Sequence, residues 1–230
     1  MNRRKVTRYS ISSQKLTRST VFAILSDLHN APFDDVLPYI READAVLVPG
    51  DLLNRHRHEI SHAVALLREV SEIKPTFFSL GNHEWRSGWR NEFLLAARSA
   101  KAELLLDSYT RFGEIVIGGS AKEPPAWLMR KMAAEPAFSL LMCHKPELFE
   151  PYVKRFDIDL TVSGHAHGGQ IAIFGQGLYS PGQGIFPKLT SGFYFDNRLL
   201  VSRGMTNSEH PIPRFGAPCE ILLLTLTPKN

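Results

Sequence analysis

The strongest constraint on how this 230-residue chain folds is a recurring pair: a short apolar run, then at once a small polar cluster. Residues 21–25 lead into Asp27-Leu28-His29, and residues 45–48 lead into Gly50-Asp51. Residues 76–80 precede Gly81-Asn82-His83-Glu84, and residues 138–142 precede Cys143-His144-Lys145. A fifth run, 158–162, closes on Gly164-His165-Ala166-His167. Each run is rich in branched and aromatic side chains and short, which suits a strand buried on both faces.

Helical patterns lie between the runs. Ile60, Val64, Leu67 and Val70 fall at steps of three and four and predict a helix over 59–73. Asp34 or Asp35 can cap a shorter helix toward Glu42, with Pro38 disturbing its first turn. Residues 93–102 and 125–134 are two further helix candidates. Strands alternating with helices predict an α/β fold with parallel pairing at the centre. In such sheets ligands gather beyond the carboxyl ends of the strands. Five loops spread from position 27 to 167 are therefore expected to converge on one edge.

The last third of the chain differs. Gly168, Gly169, Gly175, Gly177, Gly182, Gly184 and Gly192 punctuate a stretch carrying Phe174, Tyr179, Phe186, Phe193, Tyr194 and Phe195. Residues 168–196 thus read either as a Gly- and aromatic-rich loop rimming a substrate site or as a meander whose aromatics face the core. Residues 199–202 and 221–225 supply late strands.

Brought together, the polar clusters offer two carboxylates, one amide and four or five imidazoles, the groups that hold a pair of divalent cations. Two such ions about 3.5–4 Å apart lower the pKa of bound water and clamp phosphoryl oxygens. The expected reaction is hydrolysis of a phosphodiester, or of a monoester, by a metal-bound hydroxide. Asp27 and His29 are one residue apart, so in extended backbone they project to the same side, as do His165 and His167. Two adjacent cations need a shared anion, and Asp51 at a strand tip is the candidate bridge.

These residues resemble the calcineurin-like metallophosphoesterase superfamily, whose signature runs Asp-x-His, Gly-Asp, Gly-Asn-His-(Asp/Glu), His, Gly-His-x-His. Further on, His165-Ala166-His167-Gly168-Gly169-Gln170 and Ser202-Arg203-Gly204 resemble the branch of small bacterial phosphodiesterases that includes the YkuE-like and YaeI-like proteins. The resemblance implies a four-layer α-β-β-α sandwich of two mixed sheets flanked by helices. It implies that Asp27, His29 and His167 hold one metal, that Asn82, His144 and His165 hold the other, and that Asp51 lies between. His83 matches the superfamily's non-ligand histidine, expected to steady the transition state or protonate the leaving oxygen. Asn54 stands where many relatives carry Asp or Arg, and Ala166 where a hydroxyl residue is common. Mixed carboxylate, amide and imidazole ligands suit Mn²⁺, Fe and Zn²⁺ about equally.

Other side chains have weaker signals. His56, His58 and His62 form a group that reads as a third metal site or as surface and helix-start residues. Arg203 and His210 are candidates for substrate binding at the cleft. Trp85 and Trp89 suit either stacking on a substrate arm or packing in the wall.

Composition narrows the partners. The chain has 27 basic and 23 acidic residues, a net charge of +4. Six of the basic ones (Arg3, Arg4, Lys5, Arg8, Lys15 and Arg18) fall among the first eighteen residues, where no acid occurs. The remaining body is close to neutral, which argues against a nuclease and for a small or medium phosphate ester. Residues 1–18 read as a basic arm able to touch anionic lipid, or as an edge strand guarded by charge. A third reading is a non-catalytic interaction scaffold, disfavoured because all eight site residues are intact. No apolar run spans a bilayer and no signal-peptide h-region is visible, so one domain over 1–230, cytoplasmic and reduced, is expected, with Cys143 and Cys219 too few for a disulfide framework.

Overall fold

The computed structural model of the chain describes residues 4–120, 122–173, 176–180, 182–207 and 214–229. The first half supplies β1 (Lys5–Ser13), β2 (Thr20–Ile24), α1 (Leu37–Ile40), β3 (Ala45–Val48), α2 (Ser61–Ile73), β4 (Thr76–Phe78), α3 (Asn82–Arg86), α4 (Arg90–Ala97) and β5 (Glu103–Leu104). Then come β6 (Ser108–Phe112), β7 (Ile115–Gly119), α5 (Ala126–Ala133), β8 (Phe138–Met142) and β9 (Leu160–Ser163). Four two-residue strands follow: β10 (Ala172–Ile173), β11 (Gln176–Gly177), β12 (Tyr179–Ser180) and β13 (Gly184–Ile185). The chain ends with β14 (Gly192–Tyr194), β15 (Leu199–Val201) and β16 (Glu220–Pro228).

Two six-stranded mixed sheets result, ordered β1-β16-β2-β3-β4-β5 and β14-β15-β9-β8-β7-β6. The strands that carry the polar clusters, β2-β3-β4 and β8-β9, pair in parallel. Their carboxyl ends therefore point the same way within each sheet.

Fully buried strands sort their side chains by alternation. Phe22, Ile24 and Leu47 face Ile117, Leu140, Leu160 and Val162 across the space between the sheets. Ala23, Leu25, Val46 and Val48 point the other way, onto Leu66, Leu67 and Val70 of α2 and Phe93 of α4. On the far side Val116, Leu141 and Leu199 meet Leu128, Met129 and Met132 of α5. Three cores separate four layers, helix-sheet-sheet-helix, as expected.

Boundaries moved where side chains compete with the ladder. The strand expected at 158–162 starts at Leu160, because the Asp159 carboxylate accepts hydrogen bonds from Ser139 N and Oγ at 2.8 Å and meets Lys15. The helix expected over 93–102 runs from Arg90 to Ala97. The helix expected after Asp34 shrinks to the four residues of α1, with Pro38 in its first turn. The hairpin of β6 and β7, turning at Gly113 with φ 59°, was not foreseen.

The basic N-terminal segment forms an edge strand, β1, parallel to β16. Its cations are engaged locally: Arg4 with Asp35 and the Met205 carbonyl, Arg8 with Glu42, Lys15 with Asp159. Arg3 lies outside the described residues. Both cysteines are free thiols. Among the described residues no helix is long and apolar enough to cross a membrane.

Candidate metal centre

At the carboxyl ends of β2, β3 and β9 the backbone turns sharply, and several polar residues take the left-handed conformation. Asp27 (φ 57°), His29 (φ 49°), Asp51 (φ 56°), His165 (φ 66°) and His167 (φ 49°) all have positive φ. Such a backbone costs an L-residue about 1–2 kcal/mol, and clustering of it is characteristic of functional sites. The turns are locked by backbone bonds between neighbouring strand exits: Asp27 N to Gly50 O, His29 N to Asp51 O, and Asn30 N to Leu52 O.

The glycines of the clusters allow this crowding. A Cβ on Gly81 would collide with Asp51 Oδ1, and one on Gly164 would collide with Asp27 Oδ2. Both contacts join loops distant in sequence, and Gly164 brings the second sheet against the first. Across the same seam His165 N donates to Asp27 Oδ1 at 3.0 Å.

Six of the seven expected ligands fall into buried groupings. Three groupings of side chains place their ligand atoms within 4.8 Å of one another: Asp27 with His29 and His167, Asp51 with His144 and His165, and His29 with Asp51 and His83. Asp51 thus belongs to two of the groupings and, through His29, adjoins the first. His144 Nε2 lies 3.0 Å from Asp51 Oδ2 and 3.9 Å from Asp27 Oδ1, while His167 Nε2 is 3.7 Å from Asp27 Oδ1.

Several of these atoms point inward without a partner. His29 Nε2, Asn82 Oδ1 and His165 Nε2 are buried and make no hydrogen bond. Buried polar atoms normally find one, so lone pairs aimed into a shared space suit cations. Carbonyls aim two of the rings: the Leu53 carbonyl faces His29 Nδ1 at 3.2 Å and the Pro49 carbonyl faces His144 Nδ1 at 2.8 Å. The opposite nitrogens are thereby turned to the centre, a familiar device in metal sites.

Electrostatics agree. Burial pushes the Asp27 carboxyl up, reinforced by the neighbouring Asp51. Burial alone would raise Asp51 too, but the His144 and His83 imidazoles hold it well below the usual range. His144 itself, against its burial, is raised to about 10 by Asp51 and Asp27. A divalent cation between these groups would take over that positive charge and free the Nε2 lone pair. Burial, followed by neighbouring cationic groups, drives His165 and His167 well below the usual imidazole range, leaving them neutral as ligation requires.

His83 belongs to the third grouping although it is not one of the expected ligands. Its ring sits 4.4 Å from that of His29, and Nε2 is 3.9 Å from Asp51 Oδ2. Arg55 N–H donates to its Nδ1 at 3.3 Å, so in the neutral ring Nε2 carries the hydrogen. Burial pulls its pKa down to about 3.

Glu84 was read only as part of a cluster, yet it organises the centre. Its buried carboxylate accepts from Asp51 N at 2.8 Å, Leu53 N at 2.7 Å and Gly81 N at 2.7 Å. Burial and the Asp51 charge push it up to about 7, opposed by those three donors. The signal was legible: an acid three residues after a helix-starting Gly81 is the capping-box position. Glu84→Ala is expected to cost about 3 kcal/mol or more, since each hydrogen bond to a charged group contributes about 1.5–3 kcal/mol. Urea unfolding of metal-stripped protein would measure it, and a midpoint within error of the parent would refute the role.

Two other contributors had no local signal. Thr206 Oγ1 donates to the Asp27 carbonyl at 2.8 Å, and the Arg214 guanidinium donates to His167 Nδ1 at 2.8 Å and to the Thr206 carbonyl. Arg214 is 47 positions from His167, a pairing only folding reveals.

Arg203, expected to bind substrate at the cleft, is engaged within the fold. Its guanidinium is committed to the buried Glu220 carboxylate, with Nη1 2.5 Å from Oε2, and its backbone N–H bonds the same side chain. His210 lies outside the described residues. The histidines after Asp51 diverge: His58 pairs with Glu92 and His62 Nδ1 faces the Asn30 carbonyl. Among the described residues these three form no metal-holding group. Trp89 is partly buried against the α2 and α4 core, whereas Trp85 is exposed.

The glycine-rich region divides. Phe193 packs on Tyr9 and Phe195 on Phe149. The β12–β13 hairpin instead overhangs the centre, and a Cβ on Gly182 would come within 3.0 Å of His165 Nε2. Phe174 and Gly175 lie outside the described residues.

Comparison with known proteins agrees with this geometry. The chain is 26% identical over 254 residues to a Helicobacter pylori protein named as an uncharacterized metallophosphoesterase, covering 99% of this chain and 65% of that one. A Campylobacter jejuni protein of the same description is 26% identical over 234 residues (94% and 60%), and one from Aquifex aeolicus is 24% identical over 251 residues (98% and 93%). The chain thus spans slightly less than two thirds of the first two relatives. The crystal structure of the calcineurin-like phosphoesterase YfkN from Bacillus subtilis shares the fold at a TM-score of 0.51 and 13% identity, over 81% of this chain and 82% of that one. The profile of the calcineurin-like phosphoesterase family matches residues 20–169, the span that carries all five polar clusters. On that match the chain belongs to the calcineurin-like phosphoesterases.

Proposed function

We propose that this protein is a metal-dependent phosphoesterase that hydrolyses a small or medium phosphodiester. The observation that carries the reading is the pair of buried donor sets, Asp27/His29/His167 and Asp51/His144/His165, with Asp51 adjoining both. Asn82, whose Oδ1 is buried and unpartnered, completes the second set. Two divalent cations held there, as Mn²⁺, Fe or Zn²⁺, would acidify a shared water to a nucleophilic hydroxide and polarise the phosphoryl oxygens.

The chain's own residues supply the rest. Asp51 provides the charge shared by both sets, and its orientation is held by the His83 N–H at 2.7 Å. His83 presents Nε2–H at the edge of the centre, placed to donate to a phosphoryl or leaving oxygen as negative charge develops. Glu84 holds the Asp51 and Gly81 loops together from behind. A cavity of about 330 Å³ lined by Asn82 and His144 lies beside one donor set, and one of about 430 Å³ lined by His29 and Asn54 lies beside the other. Two cavities flanking one centre suit the two ester arms of a diester.

Purified protein with added Mn²⁺ is expected to release p-nitrophenol from bis-p-nitrophenyl phosphate, with two equivalents of metal by elemental analysis. Metal-loaded protein that turns over neither this diester nor p-nitrophenyl phosphate would sink the reading.

A further inference from the structure

The strand exits that deliver Asn82 and His144 also deliver cations that the proposed hydrolysis does not use. Arg86 follows Asn82 on α3, Lys145 follows His144, and Lys122 stands beyond β7; all three line the 330 Å³ cavity together with Trp85. Glu123 is the carboxylate in that wall. Arg86, Lys122 and Lys145 form no ion pair among the described residues.

Lys122 is held in an unusual way. Its ammonium sits 4.2 Å from the centroid of the Trp85 ring, which Arg90 also approaches at 4.6 Å. An aromatic face attracts the cation without neutralising it, so the charge and the N–H donors stay available to a ligand. The backbone is anchored as well: Ser120 N–H bonds the Met142 carbonyl, and Ser120 Oγ donates to the Lys122 carbonyl at 3.0 Å. The Lys122 backbone is thus tied to Ser120, and its ammonium lies on the cavity wall beside the candidate centre.

We propose that this pocket, built by Trp85, Arg86, Lys122 and Lys145, seats a second phosphate on the substrate, separate from the one that is hydrolysed. The inference rests on the phosphoesterase reading and deepens it: the substrate class becomes a phosphate ester bearing a further phosphate on one arm. The volume is at the lower end for small-molecule sites and matches a phosphorylated sugar-sized arm. Three cations against one carboxylate favour a multiply charged anion over a neutral arm, and lysines act on phosphate as point charges.

The test compares equilibrium binding of thymidine 3′,5′-bisphosphate and thymidine 5′-monophosphate to Mn²⁺-loaded protein by calorimetry. The parent protein is expected to bind the bisphosphate at least about tenfold more tightly. The Lys122→Ala/Lys145→Ala double variant is expected to lose that preference. Lys131→Ala, which removes a similar cation–π lysine on α5 that does not line the cavity, is expected to retain it. Equal binding of the two ligands by the parent, or a preference undiminished in the double variant, overturns the proposal. Failure of the phosphoesterase reading is seen separately, as absent turnover of bis-p-nitrophenyl phosphate, because the binding comparison does not require hydrolysis.

Discussion

His83→Ala is expected to lower kcat by about 10²–10³-fold while two equivalents of metal remain bound, the cost typical of deleting one donor to developing negative charge. The reasoning is geometric. His83 stands next to Asp51 and His29, but its Nδ1 is occupied by Arg55 N–H and only Nε2–H is free for a substrate oxygen. The His83 backbone N–H, which bonds Asp51 Oδ1, survives the substitution. The metal count is the decisive companion measurement. Loss of a metal equivalent would recast His83 as a ligand, an assignment its closeness to His29 and Asp51 makes worth testing. Unchanged turnover with both metals present would remove it from the chemistry altogether.

Asp51→Asn is the second substitution with a large expected effect, and it acts on the cations themselves. The amide keeps the shape of the side chain but removes the carboxylate charge that groups with His144 and His165 on one side and with His29 on the other. Two cations a few ångströms apart repel strongly without a shared anion, so metal content is expected to fall from two equivalents to one or none. The loss of turnover should exceed the roughly 10²–10³-fold cost of deleting a single transition-state donor. A spectroscopic companion exists in metal-stripped protein. Asp51 is the foremost group opposing burial at His144 and holding its pKa up near 10, so the imidazole is expected to titrate lower in the variant. Two metals retained with high affinity by Asp51→Asn would show that the shared charge lies elsewhere.

Much of the candidate site was legible because its residue types are chemically unusual for where they sit. Asp27, Asp51, His144 and His167 are polar groups placed at the ends of apolar strands, and burying them without a partner would be costly. Their recurrence after five strands pointed to convergence before any coordinates. Strand and helix identity followed from short apolar runs and from the three-four spacing of Ile60, Val64, Leu67 and Val70. The β6–β7 hairpin escaped because Ser108–Phe112 mixes polar and aromatic residues at an edge, where one face meets solvent and the pattern is weak. The start of β9 shifted for a related reason: Asp159 and its partners outcompete the local pattern through contacts distant in sequence.

Arg203 shows what local sequence leaves out. A basic residue near a Gly-rich turn resembles a phosphate contact, yet Glu220, a neighbour only across the sheet, claims its guanidinium. Arg214, with no local mark, reaches His167 instead. Trp85 and Lys122 belong to the same class, since their contact joins helix α3, after the first sheet's β4, to a loop of the second sheet.

Local chemistry, then, was sufficient to specify which atoms can bind cations and where strands begin, because ligand capacity and hydrophobic period reside in the side chains themselves. Which charges are satisfied internally and which stay open to a ligand was decided by the packing of the two sheets. That outcome depends on distances between residues tens to hundreds of positions apart, set only when both cores close.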